Sequence, residues 1–214
     1  MRFPIAALGV LALAGCGVLS SGMLPSGQPA SEFLNDAVAR AFIPISGTSY
    51  VVMGEAGAGV VVEPGIAVTN AHVGEFLHGV PVIGKSHDYD LLFFRVDRQD
   101  VLPSVSPTIG ERVIAYGMAV NGGLRQAQGV VRGLEMPVQP RCPGCLQQSA
   151  FVYIADAGPG FSGGPVVDAA SGRLVGITFG YDDVDGQRRM YAYPMSRVHN
   201  ELAALLHRVP SDIH

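Results

Sequence analysis

Lysine is almost absent from this chain of 214 residues, because all but one of its 14 basic residues are arginines. No lysine-rich stripe is therefore present to follow a phosphate backbone, and the formal net charge is -4. Both observations argue against a nucleic-acid partner. Charged residues make up only 15% of the chain and hydrophobic residues 48%. This composition excludes disordered and collagen-like classes and predicts a compact globular protein.

A hydrophobic run long enough to cross a membrane is also missing, because the apolar run over residues 5–15 is shorter than the roughly 20 residues that a spanning helix needs. This run follows Arg2 and is typical of a secretory signal. It ends in Leu13-Ala14-Gly15-Cys16, which resembles the bacterial lipobox, where a peptidase cuts before the cysteine and the cysteine carries a lipid. The alternative is an ordinary signal peptide cut after a small residue such as Gly22, which leaves a soluble secreted protein.

The lipobox interpretation divides the chain into a signal peptide (1–15), a lipidated Cys16 with a flexible tether (16–31) and one domain (32–214). The tether is rich in Gly, Ser and Pro and cannot bury a core. We expect the protein to be lipid-anchored in the bacterial cell envelope, at the outer membrane and facing the periplasm. The sequence does not set the oligomeric state.

The chain contains 28 Gly and 15 Pro, about a fifth of all residues, which predicts many tight turns between short strands. An all-β domain follows, either a sandwich or a pair of barrels. Helices are predicted over 32–42 and 196–208. The predicted strands are 46–52, 58–62, 66–69, 80–83, 91–96, 112–116, 126–134, 150–155, 165–168, 173–179 and 190–193.

A serine surrounded by residues with unusual backbone freedom is the first candidate for catalysis. Ser162 lies in Gly160-Phe161-Ser162-Gly163-Gly164-Pro165. The amides of Gly160 and Ser162 are placed to point into one pocket and to stabilise an oxyanion in acyl transfer. By itself, such a segment is more often only a turn.

A candidate base and a candidate acid each lie at the end of a predicted apolar strand. His72 ends the apolar strand Ile66-Ala67-Val68-Thr69-Asn70-Ala71, where a base is held rigidly. Asp90 immediately precedes the apolar strand Leu91-Leu92-Phe93-Phe94, and a buried carboxylate there is suited to orient an imidazole. We choose Asp90 over Asp88 by this position, and we interpret the other five histidines as solvated or packed side chains.

The order His72, Asp90, Ser162 in these contexts resembles the trypsin-like, chymotrypsin-fold serine endopeptidases, closest to the bacterial high-temperature-requirement branch. The resemblance covers residues from about 46 to 208. It implies two packed antiparallel β-barrels and a C-terminal helix, with His72 and Asp90 on the first barrel and Ser162 on the second. It also implies a Ser-His-Asp triad, an oxyanion hole formed by Gly160 and Ser162, and a peptide or protein substrate. No cofactor or metal is expected.

Two departures from the family pattern stand out. Only 18 residues separate His72 from Asp90, where the family fits an additional hairpin, which indicates an abbreviated first barrel and leaves open a triad that assembles only with substrate. No segment for a PDZ domain follows residue 208, so we expect substrate delivery to work otherwise.

Substrate contacts are carried over from the resemblance. Thr178, Phe179 and Gly180 match the strand that pairs with the substrate backbone. Asp156 stands six residues before Ser162, the offset at which trypsin-like enzymes place the acid that receives Arg or Lys. A second alignment gives Asp156 a structural role instead, and Arg189 is placed either to fill the pocket or to neutralise Asp156.

Cys142 and Cys145 close a very short turn, and in an oxidising envelope the commonest interpretation is a local disulfide, with a redox or metal site as the alternatives.

Two rival functions remain. The segment Gly160-x-Ser162-x-Gly164 also fits the nucleophile elbow of an α/β-hydrolase, and thus a serine esterase, although the pattern after Ser162 is typical of a strand rather than a helix. A protease-like lipoprotein that binds without catalysis, with a vestigial triad, is the other.

Overall fold

The computed structural model describes residues 27–29, 36–47, 55–119, 122–138 and 148–208. Within these ranges the chain forms mostly short strands, with the α-helices α1 (Asp36–Ala41) and α2 (Met195–Arg208). The strands are β1 (Gln28–Pro29), β2 (Phe42–Gly47), β3 (Glu55–Glu63), β4 (Ile66–Thr69), β5 (Val82–Lys85), β6 (Leu92–Arg95), β7 (Arg112–Met118), β8 (Leu124–Val138), β9 (Gln148–Ala155), β10 (Pro165–Asp168), β11 (Leu174–Val184) and β12 (Gln187–Pro194).

The first sheet is antiparallel and has the strand order β2-β3-β4-β6-β5. All four residues of β4 are buried, as expected for an apolar run between two neighbouring strands. Between β4 and β6 the described chain holds one strand, β5, where a six-stranded barrel has a hairpin. The short spacing between His72 and Asp90 therefore leaves the first barrel with five described strands, whose edges are β2 and β5, which confirms the abbreviated form.

The second sheet closes on itself. β8 pairs with β7 on one edge and with β9 on the other, which joins six strands in the order β8-β7-β10-β11-β12-β9. β8 is 15 residues long, so its first part extends beyond β9 and pairs with β1 at Arg125 and Gln126. Gly27, which precedes β1, lies against the ring of Phe161. The predicted pair of antiparallel barrels is confirmed.

A tight hairpin aligns the two strands of the second barrel that carry much of the site. Asp185 and Gly186 both have positive φ, 52° and 74°, which is the conformation of a type I′ turn between β11 and β12. The hairpin sets Thr178 of β11 beside Ala192 of β12, with a register shift between Thr178 and Gly180.

The two barrels share one hydrophobic core. Val60 and Phe93 from the first barrel belong to the same buried cluster as Tyr116 and Ile177 from the second. This shared core fixes the face between the barrels, and burial of these large side chains contributes roughly 1.5–3 kcal/mol each.

α2 covers β5, the edge strand of the first sheet. A Cβ added to Gly84 of β5 would lie 3.1 Å from Cδ2 of Leu205, so the helix packs directly on the strand. Ser86 Oγ also donates a hydrogen bond of 2.7 Å to Glu201 Oε2. Among the described residues no helix has the length and apolar character to span a membrane.

Two sequence predictions need correction. The helix predicted over 32–42 ends at Ala41, because Phe42 already pairs with Val60 as the first residue of β2. The strand predicted to begin at residue 46 begins at Phe42, as part of β2 (Phe42–Gly47), where Phe42 and Ile45 face the core. Residues 48–54 lie outside the described part of the chain.

Candidate active site

His72 and Asp90 meet because their strands are neighbours. Thr69, the last residue of β4, pairs with Leu92, the first residue of β6, in the antiparallel sheet. The residues just after β4 and just before β6 therefore emerge at the same edge. The sequence prediction that these two residues form a pair agrees with their positions.

The pair is joined by two hydrogen bonds. His72 Nδ1 lies 2.5 Å from Asp90 Oδ2, and the His72 amide donates to Asp90 Oδ1 at 3.1 Å. The Asp90 side chain is 6% exposed, whereas the His72 side chain is 43% exposed. The carboxylate is thus withdrawn from water, while the imidazole remains open to a substrate. With Nδ1 donating to Asp90, Nε2 is left as a proton acceptor.

The backbone of Asp90 is fixed on both sides. The fully buried Asn70 donates from Nδ2 to the Asp90 carbonyl at 2.9 Å. The Asp90 amide donates to the hydroxyl of Tyr193, on β12 of the second barrel, at 3.3 Å. Burial raises the pKa of the Tyr193 phenol well above its ordinary value, so the group stays a neutral hydroxyl.

Sequence reasoning missed both of these partners. Asn70 is a polar residue inside an apolar strand end, a signal that points to a hydrogen bond but not to Asp90. Tyr193 lies 103 residues from Asp90, and no local pattern signals that contact.

Ser162 lies in a turn that only glycine can form. Gly160 has φ +92°, and a Cβ there would be 1.8 Å from the carbonyl oxygen of Met118. Gly163 has φ +77°, and its Cβ would be 2.1 Å from the carbonyl oxygen of Ala58. Both positions combine a left-handed backbone with a close backbone approach, so a side chain at either one would displace the turn.

The Ser162 turn is bonded to both barrels. The Ser162 carbonyl accepts a hydrogen bond of 2.9 Å from the Ala58 amide, in β3 of the first barrel. The Gly163 amide donates to the Thr178 carbonyl, in β11 of the second barrel, at 2.8 Å. The serine is therefore held at the cleft between the barrels, on the side of β3.

The amides of the predicted oxyanion donors are unbonded within the described part of the chain. Within the described ranges, neither the Gly160 amide nor the Ser162 amide donates a hydrogen bond. Ser162 Oγ and His72 Nε2 form no hydrogen bond with each other or with another described residue. His72 and Asp90 are thus hydrogen-bonded to each other, whereas His72 and Ser162 are not.

The predicted substrate strand is held by side-chain contacts within the second barrel. Thr178 Oγ1 lies 2.8 Å from the hydroxyl of Tyr153, and the Phe179 ring stacks on Tyr193 with a centroid distance of 4.0 Å. β10 begins at Pro165, opposite Ile177, whereas β11 continues to Val184. Beyond Thr178, β11 therefore has β12 on one edge and no described strand on the other.

Asp156 is exposed at the end of β9 and lines a cavity of about 570 Å³ with Gln128 and Arg188. Arg189 does not pair with it. Instead, the Arg189 guanidinium donates two hydrogen bonds to Asp182, at 3.0 and 2.8 Å, and lowers the pKa of that carboxyl. A role for Asp156 in receiving Arg or Lys stays a prediction.

The cysteines assigned to lipidation and to a disulfide, Cys16, Cys142 and Cys145, lie outside the described residues. In the described part of the chain no group of three or more His, Cys, Asp or Glu side chains is arranged to hold a metal ion.

Comparisons with protein-family profiles and with curated protein sequences give no match. Solved structures do match. An inactive serine-to-alanine mutant of Rv3671c from M. tuberculosis H37Rv aligns with a TM-score of 0.66 and 21% identity over 87% of this chain and 98% of that chain. The MamO protease domain from Magnetospirillum magneticum aligns with a TM-score of 0.60 and 20% identity over 77% of this chain and 96% of that chain.

A variant of the HtrA-type protease AlgW, solved with a tripeptide, aligns with a TM-score of 0.65 and 19% identity over 80% of this chain. The match spans 63% of the AlgW chain, less than two thirds of its length. Identities at this level establish architecture, and they agree with the two antiparallel barrels and the C-terminal helix described above. The chain has the two-barrel fold of the trypsin-like serine proteases.

Proposed function

We propose that this protein is a serine endopeptidase that uses Ser162, His72 and Asp90 as its catalytic triad. The observation that carries the proposal is the accessible His72 ring, oriented by a buried Asp90 carboxylate at 2.5 Å. The glycine-rich Ser162 turn is bonded to the same barrel through Ala58. The fold supports the proposal, because Rv3671c, MamO and AlgW are all described as proteases.

In the first step His72 acts as the general base. Nε2 accepts the Ser162 Oγ proton as Oγ attacks the carbonyl carbon of the scissile peptide bond. Asp90 stays ionised, holds the tautomer with the proton on Nδ1 and stabilises the imidazolium. General base catalysis of this kind contributes about 10²–10⁴ in rate.

The Gly160 and Ser162 amides then stabilise the tetrahedral oxyanion, and each such donor is worth roughly 2.7–4 kcal/mol. When the intermediate collapses, the imidazolium gives its proton to the leaving amine and an acyl-Ser162 ester remains. Water, deprotonated by His72, attacks this ester and regenerates the serine.

A peptide substrate is the class that β11 is suited to bind. At Phe179 and Gly180 no described strand pairs with the edge of β11 opposite β12, so the backbone there can pair with an extended chain, as in β-strand addition. Phe179 and Gly180 lie on this segment, next to the turn that carries Ser162.

A protease-like binding protein without catalysis is the second candidate. The absence of a hydrogen bond between Ser162 Oγ and His72 Nε2 in the described chain favours it. The α/β-hydrolase type of esterase is excluded by the fold, because Ser162 leads into strand β10 of an antiparallel barrel and not into a helix.

Fluorophosphonate labelling tests the proposal. We expect the intact protein to be labelled at Ser162, as mapped by tryptic mass spectrometry, and the Ser162→Ala variant to be unlabelled and inert toward peptide and ester substrates. A folded wild-type protein that resists labelling would support the binding function instead. Undiminished hydrolysis by Ser162→Ala would overturn the triad.

We also propose that the protein is anchored in the bacterial cell envelope through a lipid on Cys16, at the outer membrane and facing the periplasm. The lipobox-like Leu13-Ala14-Gly15-Cys16 supports the lipid anchor. Metabolic labelling with an alkyne fatty acid should mark the wild-type protein and not Cys16→Ser, and equal labelling of both would contradict the proposal.

A further inference from the structure

The loop that carries Asp90 belongs to the first barrel, yet the second barrel binds its backbone at two points. The Asp90 amide donates to the Tyr193 hydroxyl at 3.3 Å. Gln148 Nε2 donates to the carbonyl of Asp88 at 2.5 Å. These two side chains come from β12 and β9, which pair with each other in the second barrel.

The two side chains also bind each other. The Tyr193 hydroxyl donates to Gln148 Oε1 at 2.5 Å. Tyr193 is fully buried and Gln148 is 3% exposed, so the bonds form away from water. A continuous hydrogen-bond chain therefore runs from the Asp90 amide through Tyr193 and Gln148 to the Asp88 carbonyl.

We infer that Tyr193 and Gln148 are positioning residues for the triad, because together they hold the backbone on both sides of residue 89 and so set the place of the Asp90 carboxylate. This inference rests on the proposed function, since the carboxylate matters only if His72 acts as a base. Neither side chain touches the reacting atoms. They act through the loop that carries Asp90.

The Tyr193 ring is itself held in place. It stacks on Phe179 with an interplanar angle of 12°, and the edge of the Tyr89 ring meets it at 5.4 Å and 85°. Phe179 lies in β11, so its stacking fixes the Tyr193 ring independently of the Asp90 loop. Asn70 binds the opposite end of the same residue, at the Asp90 carbonyl, from within the first barrel. The backbone of Asp90 is therefore hydrogen-bonded by one side chain from each barrel, Asn70 and Tyr193.

The position of the carboxylate is demanding because its contact with His72 Nδ1 is short, 2.5 Å. Charge-assisted hydrogen bonds of this length depend strongly on alignment. If the loop relaxes by a fraction of an ångström, the imidazole loses its fixed tautomer and orientation, although the substrate-binding strand β11 is unchanged. Loss of the hydrogen bonds from Tyr193 and Gln148 to this loop should therefore lower kcat with little effect on KM.

The test compares Tyr193→Phe with Tyr153→Phe in the intact protein. Tyr193→Phe keeps the ring and its stacking and removes only the hydroxyl. Tyr153 is an equally buried tyrosine of the same barrel whose hydroxyl contacts Thr178, not the Asp90 loop. It controls for the general cost of removing one buried hydroxyl, which we follow by the Tm of each variant.

We expect Tyr193→Phe to lower kcat about tenfold with KM changed less than twofold, the effect of one lost hydrogen bond on the transition state. Gln148→Leu should give a similar loss, and the double variant should be no slower than the worse single variant, because both act through one network. Wild-type kcat in Tyr193→Phe, or fully multiplicative losses in the double variant, would overturn the inference.

A second readout does not need turnover. We expect the His72 Nδ1 proton, which lies in a short hydrogen bond to a carboxylate, to give a resonance far downfield in the proton spectrum. We expect this resonance to broaden or move upfield in Tyr193→Phe and to keep its position in Tyr153→Phe. An unchanged resonance in Tyr193→Phe would overturn the inference that Tyr193 positions Asp90. If the wild-type protein proves inactive, the proposed function fails, while the resonance still decides whether Tyr193 positions Asp90.

Discussion

The carbonyl oxygen of Ser162, in the second barrel, accepts a hydrogen bond of 2.9 Å from the amide of Ala58, in the first. Ala58 lies in β3, which pairs with β4, and β4 leads directly into His72. The nucleophile is therefore tied to the strand that presents the base by one main-chain bond and one strand pairing. Since only backbone atoms take part, Ser162→Ala leaves the connection in place.

The acid of the triad can be identified by a paired substitution. We expect Asp90→Asn to lower kcat about 10⁴-fold, because an amide at this position favours the wrong His72 tautomer. Asp88→Asn is the matched control: the Asp88 side chain bonds to His87 at the surface, while its carbonyl keeps the bond from Gln148. Steady-state kinetics on both variants decide the matter, and a larger loss for Asp88→Asn would show that the acid was misassigned.

The oxyanion turn should tolerate no side chain at Gly160. Gly160→Ala places a Cβ 1.8 Å from the Met118 carbonyl oxygen and displaces one oxyanion donor, so we expect kcat to fall by about 10²–10³. Gly122→Ala is the control, since Gly122 has a similar φ of +81° and a Cβ there would meet no atom within 4 Å. It should lose only the roughly 1–2 kcal/mol of left-handed strain and keep wild-type kcat. Equal kcat values in the two variants would refute the role of the turn.

The Asp182 ion pair predicts a pH dependence of stability. Hydrogen bonds from Arg189 hold the pKa of the Asp182 carboxyl below its ordinary value of 3.8. A carboxyl with a lower pKa in the folded state adds stability above the unfolded pKa, and this stability is lost as the pH falls through the folded value. We expect Asp182→Asn to lower the free energy of unfolding at pH 7 by at most about 1 kcal/mol, because both side chains are partly exposed.

Urea unfolding of wild type and Asp182→Asn at pH 7 and in acid measures this difference. The two proteins should become equally stable once the pH is well below 3.8. A difference that persists unchanged in acid would mean that the substitution acts through packing rather than through the charge.

Asp156 offers a test of specificity. It is exposed, and the described lining of its cavity includes Gln128 and Arg188 but none of residues 178–180. We therefore expect Asp156→Asn to leave the relative kcat/KM values for Arg, Leu and Ala peptide reporters unchanged. A selective loss of cleavage after Arg would establish Asp156 as the acid that receives basic side chains.

The pair Cys142 and Cys145 can be examined by mass alone. A local disulfide predicts that the purified protein gains two hydrogens on reduction, and that Cys142→Ser gains none. The short ring is worth only about 2 kcal/mol in the chain-entropy model. Identical masses before and after reductant in the wild type would contradict the disulfide.

Much of this fold follows from local sequence patterns. The short apolar run at residues 165–168 predicts a strand with the observed bounds, because Pro165 marks its start and Asp168 its end. The positions of His72 and Asp90 next to strand ends are equally visible. Those features depend on neighbours in sequence, which alternation and turn chemistry report directly.

What the sequence does not reveal depends on distant contacts. Tyr193 and Gln148 look like ordinary strand residues, and their bonds to the Asp90 loop arise only when β12 and β9 close the second barrel beside it. The local pattern places the start of β2 four residues too late for a related reason, since Phe42 leaves its helical pattern to pair with Val60. Tertiary pairing overrides local propensity at such positions.

The packing of α2 on β5 has a consequence for the order in which the domain folds. Ser86 and Glu201 are separated by 115 residues, so the edge of the first barrel is covered only after nearly the whole domain has been synthesised. Contacts of such long range close slowly, and until they form the β5 edge is open to pairing with other chains. The N-terminal barrel is encoded first, but its edge strand is covered only when the last helix has formed, so a chain truncated before α2 would leave β5 exposed.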